Sequence, residues 1–200
     1  MNPHILGIVG SYRKGGTIDT VVAAVLEATQ NAGASVETVH LQDLHVEFCE
    51  NCRRCTQEGG SSFVACHRRD DMGELICRIE GADALVIGAP VNFGNVNALT
   101  QRFFERLIGY SFWPWEQAAP RLRKKGQPRK NAVLITSSAM PALFARFQTG
   151  AMRGLKLAAA ALGARPADIL FVGLAARPGG KPLTPWLKWR TQRAGRRLLR

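Results

Sequence analysis

Short apolar runs and longer amphipathic segments alternate along this chain. Runs rich in β-branched residues predict buried strands, and apolar positions spaced three and four residues apart predict helices. The predicted strands are residues 4–9, 35–41, 84–89, 132–136 and 168–173. The predicted helices are residues 18–31, a segment that opens at Asp70 and Asp71, and residues 95–108, 141–162 and 185–199. Strands alternating with helices favour an α/β domain around a parallel sheet.

The number of strands limits how this sheet can be arranged. Right-handed crossovers leave few topologies for five parallel strands, and we expect the order 2-1-3-4-5. Ligands of such sheets bind at the carboxyl ends of the first and third strands. The 200 residues, of which 46% are hydrophobic, suffice for one domain over residues 1–180, followed by a basic tail over residues 181–200.

The composition of the chain argues against several classes of protein. No apolar run reaches the roughly 18 residues of a membrane helix, so an integral membrane protein is not expected. The residues Met1 to His4 include no lysine or arginine, which argues against a secretory signal. Five cysteines, odd in number and clustered, favour reduced thiols, a metal site or a redox site over a disulfide scaffold, and predict a cytoplasmic location.

The net charge of +12 is concentrated in two segments. Residues 113–130 carry six basic residues against one glutamate, and residues 181–200 carry seven with no acid. The rest of the chain is neutral, so a nucleic-acid-binding surface spread over the domain is not expected.

The loop after the first strand, residues 10–17, predicts an anion site. It leads from a strand through glycines into a helix, where free N–H groups and the helix dipole favour an anion. Ser11 and Thr17 add hydroxyls, and Arg13 or Lys14 can add positive charge. The spelling excludes a Walker A loop, because Gly16 stands at the lysine position, and it lacks the G-x-G-x-x-G dinucleotide fingerprint. A single phosphate fits the loop better; an ordinary strand–helix turn is the alternative.

The loop after the third strand, residues 89–98, predicts contact with a flat ligand. Pro90 fixes its own φ and is expected to end the strand, while Gly94 allows close backbone approach. Phe93 can pack on such a ligand. The alternative is a plain turn before a helix that starts near Asn95.

Together these loops resemble the NADPH-dependent FMN reductase family of flavodoxin-like proteins. The matching segments are residues 10–17, Asp70-Asp71-Met72, residues 82–94 and Phe103-Phe104-Glu105-Arg106. The resemblance covers about residues 4–140 and implies a flavodoxin-like three-layer sandwich with non-covalently bound FMN. It places the phosphate near Ser11, Arg13 and Thr17, and the glycine-rich loop itself adds Lys14 and Gly16 as candidate contacts. It places the flavin ring near Pro90, Val91, Asn92, Phe93 and Gly94, flanked by Ser137 and Ser138.

The resemblance also implies an activity. A hydride from NAD(P)H would pass through the flavin to free flavin, a quinone or another small acceptor, in a homodimer or homotetramer. The flavin performs this chemistry, so no catalytic acid–base residue is predicted. An electron carrier that serves a protein partner is the second expectation.

Four cysteines in the loop over residues 43–69 are candidate metal ligands. Cys49, Cys52 and Cys55 form a Cys-x2-Cys-x2-Cys run, and Cys66 follows. Such a run suits a [4Fe–4S] cluster, and iron–sulfur flavoproteins in the resembled family carry cysteines in the same place. Thiols without metal and a zinc site remain alternatives, and His67 is a further candidate ligand. Cys77 is expected in the core.

The two basic segments carry separate hypotheses. Residues 112–115 with Arg121 to Lys130 are a candidate lid over the flavin and a candidate site for the 2′-phosphate of NADPH. The tail interleaves Trp186 and Trp189 with arginines, which suits an anionic membrane surface, nucleic-acid phosphates or a partner subunit. A solvated helix that covers its own domain is the alternative, and Gly195 is expected to interrupt that helix.

Overall fold

The computed structural model describes residues 2–124, 126, 130–175 and 183–200. The strands are β1 (His4–Val9), β2 (Ser35–His40), β3 (Ala84–Asn92), β4 (Asn95–Val96), β5 (Ser111–Phe112), β6 (Arg121–Leu122), β7 (Lys130–Ser137) and β8 (Ala164–Val172). The α-helices are α1 (Thr17–Gln30), α2 (Met72–Gly81), α3 (Ala98–Arg106), α4 (Ala142–Gln148), α5 (Ala151–Ala161) and α6 (Pro185–Leu198). Short 3-10 turns occupy Leu41–Asp43, Arg54–Thr56 and Leu107–Tyr110.

The central sheet has the order β2-β1-β3-β7-β8, and its adjacent strands pair in parallel. The predicted topology is therefore confirmed for the five long strands. The short β4 adds to the sheet by pairing with β3, and β5 and β6 form a separate hairpin. The sequence pattern missed these three because two residues are too few to show a period.

Two apolar layers cover the sheet, as a three-layer sandwich requires. Alternate strand residues face opposite sides, so Leu6 and Ile8 join one buried cluster and Ile5 and Val9 the other. Side chains of α2, α3 and α5 complete the first cluster, and side chains of α1 and α6 complete the second. Residues of the predicted tail therefore pack onto the domain.

Several predicted bounds were wrong. Pro90 does not end β3, which continues to Asn92. The predicted helix over 141–162 is two helices, separated at Thr149 and Gly150, where the Gly150 N–H donates to the Gly94 carbonyl at 2.8 Å. The helix predicted over residues 18–31 begins and ends one residue earlier, as α1 (Thr17–Gln30), with Gly16 as its N-cap.

The predicted C-terminal helix is confirmed, but Gly195 does not interrupt it. A Cβ atom at this position would lie 2.8 Å from Cβ of Ala28 and 3.0 Å from the Val25 carbonyl. Glycine therefore lets α6 approach α1 closely. Within the described ranges, no helix has the length and apolar character needed to cross a bilayer.

Candidate functional site

Three predicted site loops lie side by side at the carboxyl edge of the sheet. Val9 of β1 is in register with Gly88 of β3, and Pro90 of β3 with Ser137 of β7. The N–H of Gly10 donates to the Gly88 carbonyl at 2.7 Å, so the first loop starts against β3. The parallel sheet thus brings residues 10–17, 90–94 and 137–138 to one edge, as the sequence predicted.

The first loop is held from behind by the start of α3. Asn97 Nδ2 and Thr100 Oγ1 donate to the Gly10 carbonyl at 2.8 and 2.9 Å. Asn97 also caps α3, because its side-chain oxygen accepts from the Thr100 N–H at 3.0 Å. A Cβ at Gly10 would lie 2.2 Å from Thr100 Oγ1, so this position requires glycine. Sequence reasoning missed both α3 residues.

The start of α1 presents hydrogen-bond donors to the site. Within the described residues, the N–H groups of Thr17, Ile18 and Asp19 have no acceptor, as expected of a first helical turn. Ser11 is buried, and its Oγ accepts from the Arg13 N–H at 3.1 Å. This donor set is chemically suited to a phosphate, because free amides at a helix start bind anions.

Two charged side chains in and next to the first loop pair with residues outside it. Lys14 Nζ lies 2.7 Å from Asp43 Oδ2, so its charge is paired outside the loop. Asp19 accepts from the Gly15 N–H at 2.5 Å and lies 2.9 Å from Nε2 of His40. These contacts fix the shape of the turn and tie it to His40 of β2.

The second loop is a β-hairpin, which the sequence analysis did not predict. Val91 pairs with Val96 and Asn92 with Asn95, leaving Phe93 and Gly94 as a two-residue turn. Both turn residues have positive φ, 47° and 79°, as a type I′ turn requires. The Phe93 side chain is fully exposed at the tip.

The third loop places two small hydroxyl residues beside the second. Ser137 and Ser138 are buried at the end of β7. The Ser138 N–H donates to the Val172 carbonyl at 2.9 Å, and its Oγ accepts from the Met140 N–H at 3.0 Å. In the described part of the chain, the buried hydroxyl of neighbouring Thr136 has no hydrogen-bond partner.

The four clustered cysteines line one cavity, together with His67. Nδ1 of His67 lies 3.9 Å from Sγ of Cys66 and 4.0 Å from Sγ of Cys52. Among the residues described, no three His, Cys, Asp or Glu side chains already stand in a metal-binding arrangement. Burial raises the pKa of the Cys55 thiol, and the nearby thiols of Cys66, Cys49 and Cys52 raise it further. The loop therefore gathers four thiols at one cavity.

A buried ion pair connects the two ends of this cysteine loop. Arg106 and Asp70 pair through both carboxylate oxygens, with side chains 2% and 1% exposed. Arg106 Nη1 also donates to the Glu47 carbonyl at 2.8 Å, and the Glu47 N–H donates to Asp70 at 2.8 Å. Burial of Asp70 opposes its ionisation, but hydrogen bonds from Arg106 and from the backbone outweigh burial and lower its pKa. The same ion pair therefore joins Glu47, before Cys49, to Asp70, after Cys66.

The first basic segment lies against the cysteine loop. The Trp113 N–H donates to the Thr56 carbonyl at 2.8 Å, and Arg123 donates to the Cys55 and Gly60 carbonyls at 3.3 and 3.2 Å. Lys124 pairs with Glu80 at 2.7 Å. These contacts favour a cover for the cysteine loop over the expected lid and 2′-phosphate site. The predicted charges of Lys125 and Arg129, like that of Lys181 in the tail, lie outside the described residues.

One cysteine prediction was wrong. Cys77 is exposed on α2, whereas Ile76 and Ile79 face the core.

Comparison with known proteins finds similarity to a reductase family and to iron–sulfur flavoproteins. A family model described as NADPH-dependent FMN reductase matches residues 3–127. An iron-sulfur flavoprotein of Archaeoglobus fulgidus is 35% identical over 109 residues, covering 54% of this chain and 47% of the relative. An iron-sulfur flavoprotein of Methanosarcina thermophila is 32% identical over 104 residues, covering 52% of each chain. The chain thus spans about half the length of these relatives.

Solved structures support the fold over the whole chain. An NAD(P)H:quinone oxidoreductase from Methanothermobacter marburgensis superposes with a TM-score of 0.68 at 22% identity, covering 98% of both chains. A flavone reductase superposes with a TM-score of 0.67 at 19% identity, covering 98% of this chain and 61% of its own. At these identities the likeness establishes the architecture alone.

Proposed function

Because the chain belongs to the NADPH-dependent FMN reductase family, we propose that it is an FMN-dependent oxidoreductase that takes hydride from NAD(P)H. Its acceptor is a free flavin, a quinone or another small molecule. The observation that carries this proposal is the free amide donors at the start of α1, beside the hairpin and the serine loop. A phosphate-bearing flat ligand fits this edge, with its anionic end at α1 and its ring toward β3 and β7.

The chain's residues bind and orient the cofactor. The amides of Thr17 and Ile18 would hold the phosphate, and Asn97 and Thr100 fix the Gly10 turn through its carbonyl. The hairpin over residues 90–96 would border the ring, with Phe93 directed to solvent. FMN, when bound, supplies the hydride and electron transfer, so the protein needs to supply binding, orientation and electrostatics.

A spectrum with a coupled assay tests the proposal. Purified protein, supplied with FMN and freed of excess, should show flavin absorbance and oxidise NADPH when a quinone or free flavin is present. The same preparation without an acceptor is the control for slow reaction with oxygen. Tight FMN binding without NADH or NADPH oxidation would instead favour a carrier that serves a protein partner.

An iron–sulfur centre is a second candidate function, favoured by the convergence of four cysteines on one cavity. We propose that Cys49, Cys52, Cys55 and Cys66 hold a [4Fe–4S] cluster, since four thiolates are its usual ligand set. The iron-sulfur flavoprotein names of the relatives support this assignment. Iron and sulfide analysis after anaerobic reconstitution tests it, with a Cys55→Ser variant as control. Zinc uptake, or no metal, would contradict it.

We also propose that the protein is a homodimer or homotetramer. The support is an exposed apolar group on α4, where Leu143, Phe144 and Phe147 are 65%, 58% and 83% exposed. Light scattering should give two or four times the chain mass of 21.9 kDa, and Phe144→Lys with Phe147→Lys should lower it. A monomeric native protein would contradict this proposal. A cytoplasmic location remains a prediction, supported by five free cysteines.

A further inference from the structure

The wall of the four-cysteine cavity carries an excess of positive charge. Its lining includes Arg53, Arg68 and Arg106 against the carboxylate of Glu50. Arg68 pairs with Glu50, and Arg106 pairs with Asp70. In the described part of the chain, Arg53 has no carboxylate partner, and it donates instead to the carbonyls of Trp113 and Pro114 at 2.8 and 3.0 Å. The cavity is therefore left with an unbalanced cation.

Contacts of its side chain and the conformation of its backbone both fix the position of Arg53. Its guanidinium lies 3.7 Å from the ring centre of Trp113 and 4.5 Å from that of Trp115. Its φ is 57°, and Asn51 has a φ of 53°, so two left-handed residues flank Cys52. Such backbone strain persists where surrounding contacts enforce it, and it concentrates at functional sites. The arginine is thus fixed at the cavity.

Two further hydrogen-bond donors contact cysteine residues of this loop. The Asn51 N–H donates to Sγ of Cys49 at 3.4 Å, and Arg123 donates to the Cys55 carbonyl at 3.3 Å. Among the described residues, Arg123 also has no carboxylate partner within ion-pair distance. Hydrogen bonds to cysteine sulfur and nearby net charge are two of the factors that set the potential of an iron–sulfur centre.

We propose that Arg53 tunes the reduction potential of the cluster held by the four cysteines, which rests on the cluster proposed above. On reduction the cluster gains one electron, and no bond to a cysteine forms or breaks. The added negative charge would lie in the cavity that Arg53 lines, and a guanidinium with no carboxylate partner among the described residues would stabilise the reduced form more than the oxidised form. The Trp113 and Trp115 rings, from the segment that covers the loop, keep this charge in position.

The experiment compares full-length, anaerobically reconstituted wild type with Arg53→Gln and Arg53→Lys. Dithionite is the electron donor, and electron paramagnetic resonance follows the reduced cluster across a redox titration. Arg53→Gln should lower the ratio of reduced to oxidised cluster at a given potential about tenfold, a shift of ~59 mV for one electron. Arg53→Lys keeps the charge and should restore most of this shift. Arg165→Gln, which removes a charge that lies 3.0 Å from Asn131 instead, should leave the potential unchanged.

Three outcomes would overturn the inference. Equal potentials in wild type and Arg53→Gln would remove the tuning role while leaving the cluster intact. A shift in Arg53→Lys as large as in Arg53→Gln would show that shape, and not charge, matters. Wild type that binds FMN but takes up no iron would overturn the cluster and this inference together. If Arg53→Gln does not retain iron, Arg123→Gln replaces it, with a smaller shift in the same direction expected and an unchanged potential contradicting the proposal.

Discussion

At the scale of single residues, Thr17 is where phosphate recognition can be separated from ring recognition. Thr17 is the first residue of α1, and its hydroxyl is proposed to donate to the phosphate that the free N–H groups of this turn would bind. Thr17→Val keeps the branched shape and removes the hydroxyl. A hydrogen bond to a charged group contributes about 1.5–3 kcal/mol, so FMN affinity should fall about tenfold or more. Riboflavin affinity should not change, and a fluorescence titration with both ligands measures the difference. An equal loss for both would place the phosphate elsewhere.

The buried Asp70–Arg106 pair predicts a defined acid dependence. Asp70→Asn leaves the Arg106 charge unpaired and should cost about 3–5 kcal/mol of unfolding free energy at neutral pH. The pKa of Asp70 is lowered in the folded chain, so its contribution is present above the unfolded value of about 3.9 and is lost as the pH falls through the folded value. The difference in unfolding free energy between the wild type and Asp70→Asn should therefore become smaller below about pH 4. Urea unfolding at several pH values measures it, and parallel pH profiles would contradict the prediction.

The local sequence predicts candidate site residues when their role depends only on the loop that contains them. Glycines and hydroxyls between a strand and a helix predict an anion site at residues 10–17 without reference to any tertiary contact. Asn97, Thr100 and Arg106 were missed as site residues because their roles come from contacts with residues far away in sequence. Thr100 reaches Gly10 across 90 positions, and Arg106 reaches Asp70 across 36. No periodicity or motif records such pairings.

At the scale of elements, the α1–α6 contact reverses a general rule. Alanine normally stabilises a helix relative to glycine by up to about 1 kcal/mol. At Gly195 the new Cβ meets Ala28 and the Val25 carbonyl, so Gly195→Ala should destabilise the protein by about 1–3 kcal/mol through overpacking. A Cβ added at Gly73 would lie more than 4 Å from every described atom outside α2, so Gly73→Ala is a matched control expected to be neutral or stabilising. Thermal unfolding of both variants decides, and a stabilised Gly195→Ala would contradict the close packing.

The strand order followed from the pattern because five apolar runs and right-handed crossovers leave few choices. The hairpin over residues 90–96 could not be predicted from the pattern. Its turn needs a positive φ at Phe93, and phenylalanine is not a residue that indicates such a turn. The break between α4 and α5 was missed for a similar reason. Gly150 donates to the Gly94 carbonyl, and the apolar pattern continues across that point.

At the scale of the whole molecule, positive charge is concentrated on the outer face of α6. Arg190 and Arg197 pair with Asp168, whereas Arg193, Arg196 and Arg200 line a surface cleft with Trp189. Replacing Arg193, Arg196 and Arg200 by Gln should lower the salt concentration at which the protein elutes from heparin, because fewer counterions are released. The same replacement of Arg146, Arg153 and Lys156, which are exposed on α4 and α5, is the control. If both triple variants elute at the same salt concentration, the arginines of α6 do not form a specific binding surface for an anionic partner. Changed FMN affinity in the α6 variant would contradict a separate role for this face.

The proposed function depends most on FMN lying across the carboxyl ends of β1, β3 and β7, with its phosphate on the first turn of α1. The most direct measurement is a titration of the wild-type protein with FMN and with riboflavin, followed by quenching of flavin fluorescence. We expect saturable binding of FMN and at least about tenfold weaker binding of riboflavin, from the lost charge-assisted hydrogen bonds. No binding of FMN, or equal affinity for the two flavins, would contradict it.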